Sequence, residues 1–501
     1  MMKSADMNRG LKMIKKLFLG TLLILFVNLL VSWVFMTAAK GGGIILQQEL
    51  DASGNGYTVM KVWGTYYEMG YSHGYLLGDQ IDEMVTSIKE YIGSSYNDVK
   101  SEISNTYFPP DMRDEIDGMV AGIQEVVQAS TITPEDIIML NTIGDWDYSP
   151  NCRAHSCWGS YVNPPVKTLS TRRLDYTSFL EYFDSLNVLL CAYEPSDTSK
   201  VRWVNLFFPG WIIAHTSVNE FGTLVSIHDS PASGGSHGVG ANVITRSAAM
   251  RYMMTIDNLP VSISQQTDFV YDALQNYVPW TGSFLNYYAP MGNAGVISCS
   301  ASQGFYNLRK PRQSYFGGEV IVTSNQYTDG YSAPSDATFF NSYYSGSTPK
   351  SLADHWGLLD GVDSSNGAFQ LSVEYRDRAD MTIWARGRLI GTATTPIIKL
   401  EWSELFEDIV ISNYPPVLAP IGAKTVTEEG LLEFIITASD PDSGDILTYS
   451  ADNLPLGAIF DSETQLFSWT PVYGDAGNYT VTFTVTDNGT PTRSDSEEVT
   501  I

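Results

Sequence analysis

Three residues in the middle of the chain are of types that together could attack a carbonyl group. Cys157 is followed by Arg172 and Asp175, fifteen and eighteen positions downstream. A deprotonated thiol is a strong nucleophile, and a carboxylate and a guanidinium can fix its orientation without being consumed. If the chain were cut between Ser156 and Cys157, the freed α-amine of Cys157 could act as base for its own thiol. The pattern therefore predicts a cysteine nucleophile that becomes active after self-cleavage at Ser156–Cys157.

Simpler interpretations of the same residues stay open. Cys157 would also fit as a buried structural thiol or as half of a disulfide with Cys152. Cys152 is the rival nucleophile, although its spacing to the Arg and Asp residues fits the pattern less well. Arg172 and Asp175 would also make an ordinary ion pair.

The elements that would position these residues can be predicted from periodicity. Cys157 is expected to open a strand. Before it, apolar residues at helical spacing predict three helices, which begin near Tyr67, at Pro110 and at Pro134. After it, short β-rich runs predict strands at Asn187–Cys191, Arg202–Phe207, Trp211–Ser217, Thr223–His228, Val320–Thr323 and Met381–Ala385. This mixture indicates an α/β (α+β) domain in which helices cover sheets.

The composition changes near Asn413, where the chain becomes rich in Thr, Asp and Val and loses its helical patterns. Short strands at sandwich spacing predict a small all-β sandwich over 413–501. Inside it, Asp440, Asp442 and Asp445 are a candidate calcium site, or a plain polar turn. The predicted domains are therefore 1–40 as signal peptide or membrane anchor, 41–156 as light chain, 157–412 as catalytic heavy chain and 413–501 as sandwich.

The N-terminus and the composition indicate an exported protein. Basic residues precede an apolar run from Leu17 to Met36, which is typical of a signal peptide or a retained anchor. Either way, the remainder is expected to lie outside the cytoplasm, secreted or held at the outer face of the membrane. A net charge of -27 disfavours nucleic acid as a partner. Four cysteines in 501 residues are too few for a disulfide scaffold. The sequence has no C-x-x-C pair, so a zinc knuckle is not expected.

Four motifs, in order, resemble the C45-type autoproteolytic cysteine acyltransferase/hydrolase family. These are N-terminal-nucleophile (Ntn) hydrolases related to penicillin acyltransferase and acid ceramidase. The resemblance covers roughly residues 55–400 and is carried by Gly64–Leu77, by Cys157 with Thr171–Asp175, by Phe208–Gly210 with Val218–Gly222, and by Thr323–Tyr327. The tail, from Asp440–Asp445 through Thr448–Val481, resembles bacterial cadherin-like and putative immunoglobulin modules of surface proteins.

The resemblance implies a four-layer αββα fold and an amidohydrolase or acyltransferase that acts on an amide C–N bond. It implies that Cys157 attacks the carbonyl, that Arg172 and Asp175 steady the amine and thiolate, and that Asn325 helps to hold the oxyanion. The substrate would be a small-molecule amide or N-acyl compound, or a small peptide. Light and heavy chains would stay associated, and no cofactor or metal is expected in the catalytic domain.

The chain departs from the family pattern, and other functions compete. Arg173 stands where relatives carry Asn, and Asn325 could be a turn residue. Asn219 is better interpreted as capping a hairpin turn before Gly222. One alternative function is a non-catalytic cell-surface binding or adhesion protein with a degenerate hydrolase domain. Another is a serine esterase using Ser236, although the surrounding sequence indicates a flexible loop.

Overall fold

The computed structural model of this protein describes residues 33–34, 42–50, 56–146, 153–175, 187–229, 240–300, 305–311, 318–324, 342–345, 348–360, 368–388, 397–406, 416–440, 445–489 and 492–501. Tertiary contacts divide the chain into two units, of which the larger ends at Glu407 and the smaller includes Asp408–Ile501. The predicted signal or anchor falls almost entirely outside the described residues. No helix in the described ranges is both long and apolar enough to cross a membrane.

Two sheets dominate the larger unit. Its strands, in chain order, are β1 (Trp33–Val34), β2 (Gly42–Leu50), β3 (Gly56–Gly64), β4 (Arg153–Trp158), β5 (Thr168–Asp175), β6 (Asn187–Pro195), β7 (Trp203–Phe207), β8 (Thr216–Asn219), β9 (Leu224–Asp229), β10 (Val243–Ile244), β11 (Val278–Pro279), β12 (Ser283–Tyr288), β13 (Gly295–Ser300), β14 (Phe305–Arg309), β15 (Val320–Ser324), β16 (Ala368–Asp377), β17 (Asp380–Arg388) and β18 (Ile398–Glu401). A ten-stranded sheet has the order β1-β2-β3-β6-β7-β8-β9-β12-β13-β14, and a six-stranded sheet has the order β15-β4-β5-β16-β17-β18. In the first sheet β3 and β6 run parallel.

Helices accompany both sheets, which confirms the mixed α/β prediction. They are α1 (Tyr66–Ile92), α2 (Tyr96–Ser104), α3 (Pro110–Val126), α4 (Pro134–Trp146), α5 (Arg246–Thr255), α6 (Ile263–Leu274), α7 (Leu352–Asp360) and α8 (Trp402–Phe406). The three helices predicted before Cys157 are α1, α3 and α4. Helix α1 begins with a capping box, in which Thr65 and Glu68 satisfy each other's backbone N–H groups.

Glycines allow α1 and α3 to pack with their backbones in contact. Gly70 and Gly74 on α1 face the backbone of α3. Gly118 and Gly122 do the same from α3 toward α1. A Cβ atom at any of these positions would overlap a carbonyl oxygen of the other helix, so only glycine fits. Gly70 and Gly74 belong to the first family-like motif, and here their role is helix packing.

One strand prediction is wrong, and side-chain hydrogen bonds explain why. Residues 211–215 form a buried irregular segment, and only Thr216–Asn219 is a strand. The Asn141 side chain accepts hydrogen bonds from the N–H groups of Ile212 and Ile213, at 2.8 and 3.3 Å. The Arg251 guanidinium donates to the carbonyl of Ile212 at 2.8 Å. Because side chains satisfy this backbone, the segment does not need a neighbouring strand.

Neighbouring residues of β5 show which elements lie on either side of the six-stranded sheet. Thr171 hydrogen-bonds His355 on α7, whereas Arg172 donates to the carbonyl of Ile227 on β9. Successive strand residues point to opposite faces. The six-stranded sheet therefore has α7 on one face and the ten-stranded sheet on the other, where Phe369 also packs against Phe207.

The smaller unit is β-rich, as the sequence predicts. Its strands are β19 (Val417–Leu418), β20 (Leu432–Ile435), β21 (Ala438–Ser439), β22 (Thr448–Asp452), β23 (Ile459–Asp461), β24 (Leu466–Trp469), β25 (Thr480–Thr486) and β26 (Ser494–Thr500). They form sheets β20-β24-β23 and β22-β25-β26 and the pair β19-β21. Their inward residues share one core, which includes Phe467, Trp469, Val481, Phe483 and Val485.

His73 gives the larger unit a predictable response to acid. Its Nε2 accepts a hydrogen bond from the Gly210 N–H at 3.1 Å, and burial lowers its pKa to about 3. An unfolded chain binds this proton below about pH 6.5. The contribution of His73 to the free energy of unfolding is therefore constant above that pH. Below it, the free energy of unfolding falls by about 1.4 kcal/mol per pH unit, because only the unfolded chain binds the proton. We expect the loss of stability between pH 7 and pH 5 to be about 2 kcal/mol smaller in His73→Gln. Urea unfolding at both pH values measures this difference, and equal losses would contradict it.

Candidate active site

Cys157 lies inside a strand instead of opening one, so that part of the prediction is wrong. It is the fifth residue of β4, and β4 is an inner strand. Cys157 stands opposite Val320 of β15 on one side and Leu169 of β5 on the other. Its side chain is fully buried. The predicted cut between Ser156 and Cys157 would therefore fall within a strand that is paired on both sides.

The structure does not bring Cys157 together with Arg172. Residues paired across an antiparallel ladder share a face, and Cys157 pairs with Leu169. Arg172 pairs with Ala154 and so lies on the opposite face. Arg172 is also three residues beyond Leu169, a distance of about 10 Å along β5. Asp175, further on, ends β5 opposite Ala368 of β16.

The neighbours of Cys157 are instead a histidine and its hydrogen-bond partners. The Sγ atom lies 3.5 Å from Nε2 of His355, whose Nδ1 lies 2.9 Å from Oγ1 of Thr171. The Thr171 hydroxyl continues to the hydroxyl of Ser372, at 2.8 Å. Trp356 donates its Nε1–H to that same hydroxyl, at 2.7 Å. No local sequence pattern indicates this group, because His355 is 198 residues from Cys157.

A second histidine completes this buried group. The His155 ring stacks on that of His355 with centroids 4.0 Å apart, and its Nδ1 lies 2.5 Å from the Tyr344 hydroxyl. Burial lowers the pKa of His155 to about 3 and that of His355 well below its usual value. Burial also raises the pKa of Cys157 far above that of an ordinary thiol. At neutral pH the pair is therefore an uncharged thiol and an uncharged imidazole, closed off from solvent.

Arg153, Arg172 and Arg173 lie at the other end of β4, where the strand begins. Arg173 pairs with Arg153, the first residue of β4, and both side chains are buried. Arg172, also buried, donates from Nη2 to the carbonyl of Ile227 at 2.7 Å. The pKa of His228 is lowered well below its usual value, first by burial and then by the charges of Arg172 and Arg153.

Several candidate residues lie outside the described ranges. Cys152 directly precedes Arg153 in the chain, and Asn325 directly follows Ser324, which pairs with Arg153. Ser236 also falls outside them, as does Asp442.

Asn219 has the turn role that the sequence suggested. Its Oδ1 accepts hydrogen bonds from the N–H groups of Phe221 and Thr223, at 3.1 and 3.2 Å. The Gly222 N–H donates to the Asn219 carbonyl at 2.8 Å, and Gly222 has φ of 77°. Gly222 thus occupies a left-handed position that glycine adopts without steric cost.

In the smaller unit, two predicted acidic residues meet a third that the sequence did not single out. Carboxylate oxygens of Asp440, Asp445 and Asp487 lie within 4.8 Å of one another. The Oδ1 atom of Asp487 also accepts hydrogen bonds from the N–H groups of Gly489 and Arg493, at 3.0 and 2.9 Å. Oxygen ligands at this spacing suit a hard cation such as Ca²⁺. Asp487 follows Asp445 by 42 positions, so no local motif could have revealed it.

Comparison with known proteins identifies the C-terminal part of the chain. Residues 415–501 match a family model described as Putative Ig domain (He_PIG). This confirms the prediction of an Ig-like module. No curated protein matches the chain. The resemblance of the larger unit to the C45-type hydrolases therefore stays a prediction.

Solved structures give only weak similarity. A nucleoside hydrolase-related hypothetical protein from Saccharophagus degradans, associated with carbohydrate metabolism, is 21% identical over 18% of this chain and 25% of its own, with a TM-score of 0.16. Protocadherin Gamma B2 extracellular cadherin domains 3-6 are 12% identical, with 44% of each chain covered and a TM-score of 0.14. The Protocadherin GammaB4 extracellular domain is 13% identical over 61% of this chain and 38% of its own, with a TM-score of 0.15. The chain spans less than half the length of each.

The burial of the described cysteines predicts how they react. Cys157, Cys191 and Cys299 form no disulfide with one another, and burial raises the pKa of all three. In a Cys152→Ala variant, these three thiols should resist a thiol reagent such as DTNB in the native protein and react fully in denaturant. Rapid labelling of Cys157 in the native variant, located by peptide mass, would show that Cys157 is accessible.

Proposed function

We propose that this protein is an exported, self-processing cysteine hydrolase or acyltransferase that acts on an amide C–N bond, with Cys152 as its nucleophile. The observation that carries the proposal is the register of β4 against β5. It sets Arg173 opposite Arg153 and Arg172 opposite Ala154, at the end of β4 that follows Cys152 in the chain. The Arg-x-x-Asp element therefore points to the cysteine before β4, instead of the one inside it.

The surroundings of Cys157 argue against it as the nucleophile. Its thiol is enclosed and its pKa is raised by burial, whereas a nucleophilic cysteine needs thiolate character and access to substrate. A cut before Cys157 would also leave Arg153–Ser156 as a short strand between β15 and β5. A cut before Cys152 would leave β4 whole.

The chemistry follows from an N-terminal cysteine. After the bond between Asn151 and Cys152 breaks, the α-amine of Cys152 takes the thiol proton, and the sulfur attacks the substrate carbonyl. The resulting oxyanion collapses to a thioester as the α-ammonium of Cys152 returns its proton to the amine of the substrate, which leaves. Water or a second amine then attacks the thioester, takes the acyl group and restores the thiol. Guanidinium groups near the start of β4 favour the thiolate and the oxyanion.

The order of the layers is consistent with the αββα fold that the resemblance implies. Helix α7 lies on the six-stranded sheet, which packs on the ten-stranded sheet, and α1 packs on β2 and β3 of the latter. Strand β3, before the cut, pairs along its whole length with β6, after the cut. The light chain would therefore stay bound to the heavy chain through backbone hydrogen bonds and a shared core.

The substrate class and location follow from the same proposal. An N-acyl compound or other small-molecule amide would enter from outside the cytoplasm, where the apolar run from Leu17 to Met36 would direct the protein. That run would be removed or would hold the protein at the membrane. The Ig-like domain at 415–501 suits a location at the cell surface.

A matched pair of alanine variants tests the proposal. Intact mass of the purified wild-type protein should give one fragment ending at Asn151 and one beginning with Cys152. Cys152→Ala should remain one uncut and inactive chain. Cys157→Ala should be cut and active toward N-acyl chromogenic amides, with a stability loss of about 1 kcal/mol typical of a buried substitution.

The other outcomes are equally specific. Processing of Cys152→Ala together with an uncut Cys157→Ala would return the nucleophile to Cys157 and overturn the register argument. An uncut wild-type chain would favour the surface adhesion protein, for which the Ig-like domain is the supporting observation. Labelling of Ser236 by a fluorophosphonate would favour a serine esterase.

We further propose that Asp440, Asp445 and Asp487 bind Ca²⁺ and so stabilise the Ig-like domain. Three carboxylates within 4.8 Å repel one another, and a divalent cation would remove that repulsion. Asp442, outside the described residues, remains a fourth candidate ligand.

Calcium should therefore raise the melting temperature of this domain by several degrees at 1 mM, and chelation by EGTA should reverse the rise. Asp487→Asn should abolish the response, since it removes the most buried of the three carboxylates. Glu463→Gln, which changes an exposed carboxylate elsewhere in the domain, should keep it. An unchanged melting temperature in the wild type would contradict the site.

A further inference from the structure

We infer that a cavity of about 560 Å³ in the larger unit binds a small organic ammonium ion, at a site separate from the proposed nucleophile. The cavity is formed where β3 and β6 end, between the starts of α1 and α3 and the end of α5. We call it the tyrosine cavity. Its main lining residues are Tyr66, Tyr107, Tyr252, Asp111, Asp257 and Lys200. None of its lining residues belongs to β4 or β5.

Carboxylates outnumber cations on the wall of the tyrosine cavity. It is lined by four aspartates and, among the described residues, by Lys200 as the one cationic side chain. The Lys200 ammonium already lies 2.6 Å from Asp257 Oδ1 and 3.9 Å from Asp111 Oδ2. It also donates to the carbonyl of Thr255 at 2.9 Å. The remaining charge on the wall is negative, and a concave wall of one sign concentrates ions of the opposite sign.

The aromatic lining favours an organic cation over a metal ion. Two cationic groups already lie near the Tyr66 ring, Lys200 Nζ at 5.9 Å and the Arg251 guanidinium at 5.4 Å from the centroid. Tyr107 and Tyr252 are fixed by ring contacts with Tyr277, with centroids 4.5 and 5.3 Å apart. Tyrosine rings attract cations through the negative charge of their faces. A volume of this size also suits a small molecule with an apolar body.

Lys200 distinguishes a cationic ligand from a neutral one, because its own ammonium would compete with the ammonium group of the ligand. Its ammonium holds Asp111 and Asp257, the carboxylates that a bound ammonium would use. Removing the Lys200 charge should therefore strengthen the binding of a cation. If the natural ligand were a neutral polyol, removing Lys200 would instead weaken its binding, because the cavity would lack the hydrogen-bond donor that Lys200 supplies.

The cavity also joins the two parts of the chain that processing would separate. Thr65–Tyr67 and Asp111 precede either candidate cut, whereas Lys200 and Asp257 follow it. Since the paired β3 and β6 hold the parts together, binding should not depend on cleavage. The inactive Cys152→Ala chain should bind as well as the wild type, so the failure of one proposal is distinguishable from the failure of the other.

Isothermal titration of the full chain with choline and with its neutral isostere 3,3-dimethylbutan-1-ol tests the inference. Choline should bind about tenfold more tightly than the alcohol, because only choline carries the charge. Lys200→Met should tighten choline binding about threefold or more, and Asp111→Asn should weaken it about fivefold. Asp257→Asn, at a more exposed position, gives a second test if Asp111→Asn is unstable. Asp98→Asn, an exposed carboxylate outside the cavity, should leave choline binding unchanged.

Three results would overturn the inference. Equal affinity for choline and the alcohol would show that charge is not recognised. Weaker choline binding in Lys200→Met would show that the lysine assists the ligand instead of competing with it. An equal effect of Asp98→Asn and Asp111→Asn would show that the negative charge of the whole protein, and not this cavity, attracts the cation.

Discussion

The antiparallel register of β4 against β5 is the constraint on which the arrangement of the larger unit depends. It sends Cys157 and His155 toward α7 and sends Ala154 and Arg172 toward the ten-stranded sheet. A slip of one residue in β5 would exchange these faces and bury the Arg172 guanidinium on the side where the thiol and imidazole groups now pack. Because both faces of the six-stranded sheet are covered, such a slip has no low-energy outcome.

The same register separates two cysteines that sequence spacing treats as rivals. Spacing counts residues along the chain and takes no account of the turn between β4 and β5. The length of that turn decides which residue of β4 stands opposite the Arg-x-x-Asp element. Here the turn spans 159–167, which is too short to leave Arg172 opposite Cys157 and carries the element on toward the beginning of β4.

Periodicity predicted much of the fold, and its failures have physical causes. The helices α1, α3 and α4 follow from apolar spacing, and β6, β9, β15 and β17 follow from β-rich runs. The segment Trp211–Ser217 looked like a strand because it is apolar, but Asn141 supplies its hydrogen bonds from another element. His355 and Asp487 are single polar residues whose partners are distant in sequence. Pairings of that kind are created by folding and leave no local pattern.

The glycine-lined contact between α1 and α3 has a consequence for how the chain folds. Both helices lie within 66–126 and are synthesised well before β6, the partner of β3. Contacts between segments close in sequence form faster than pairings across long separations. The two helices can therefore pack against each other on the nascent chain before the central strands pair, and so form a preformed platform. The central strands would then pair on that platform once the remainder of the polypeptide has left the ribosome.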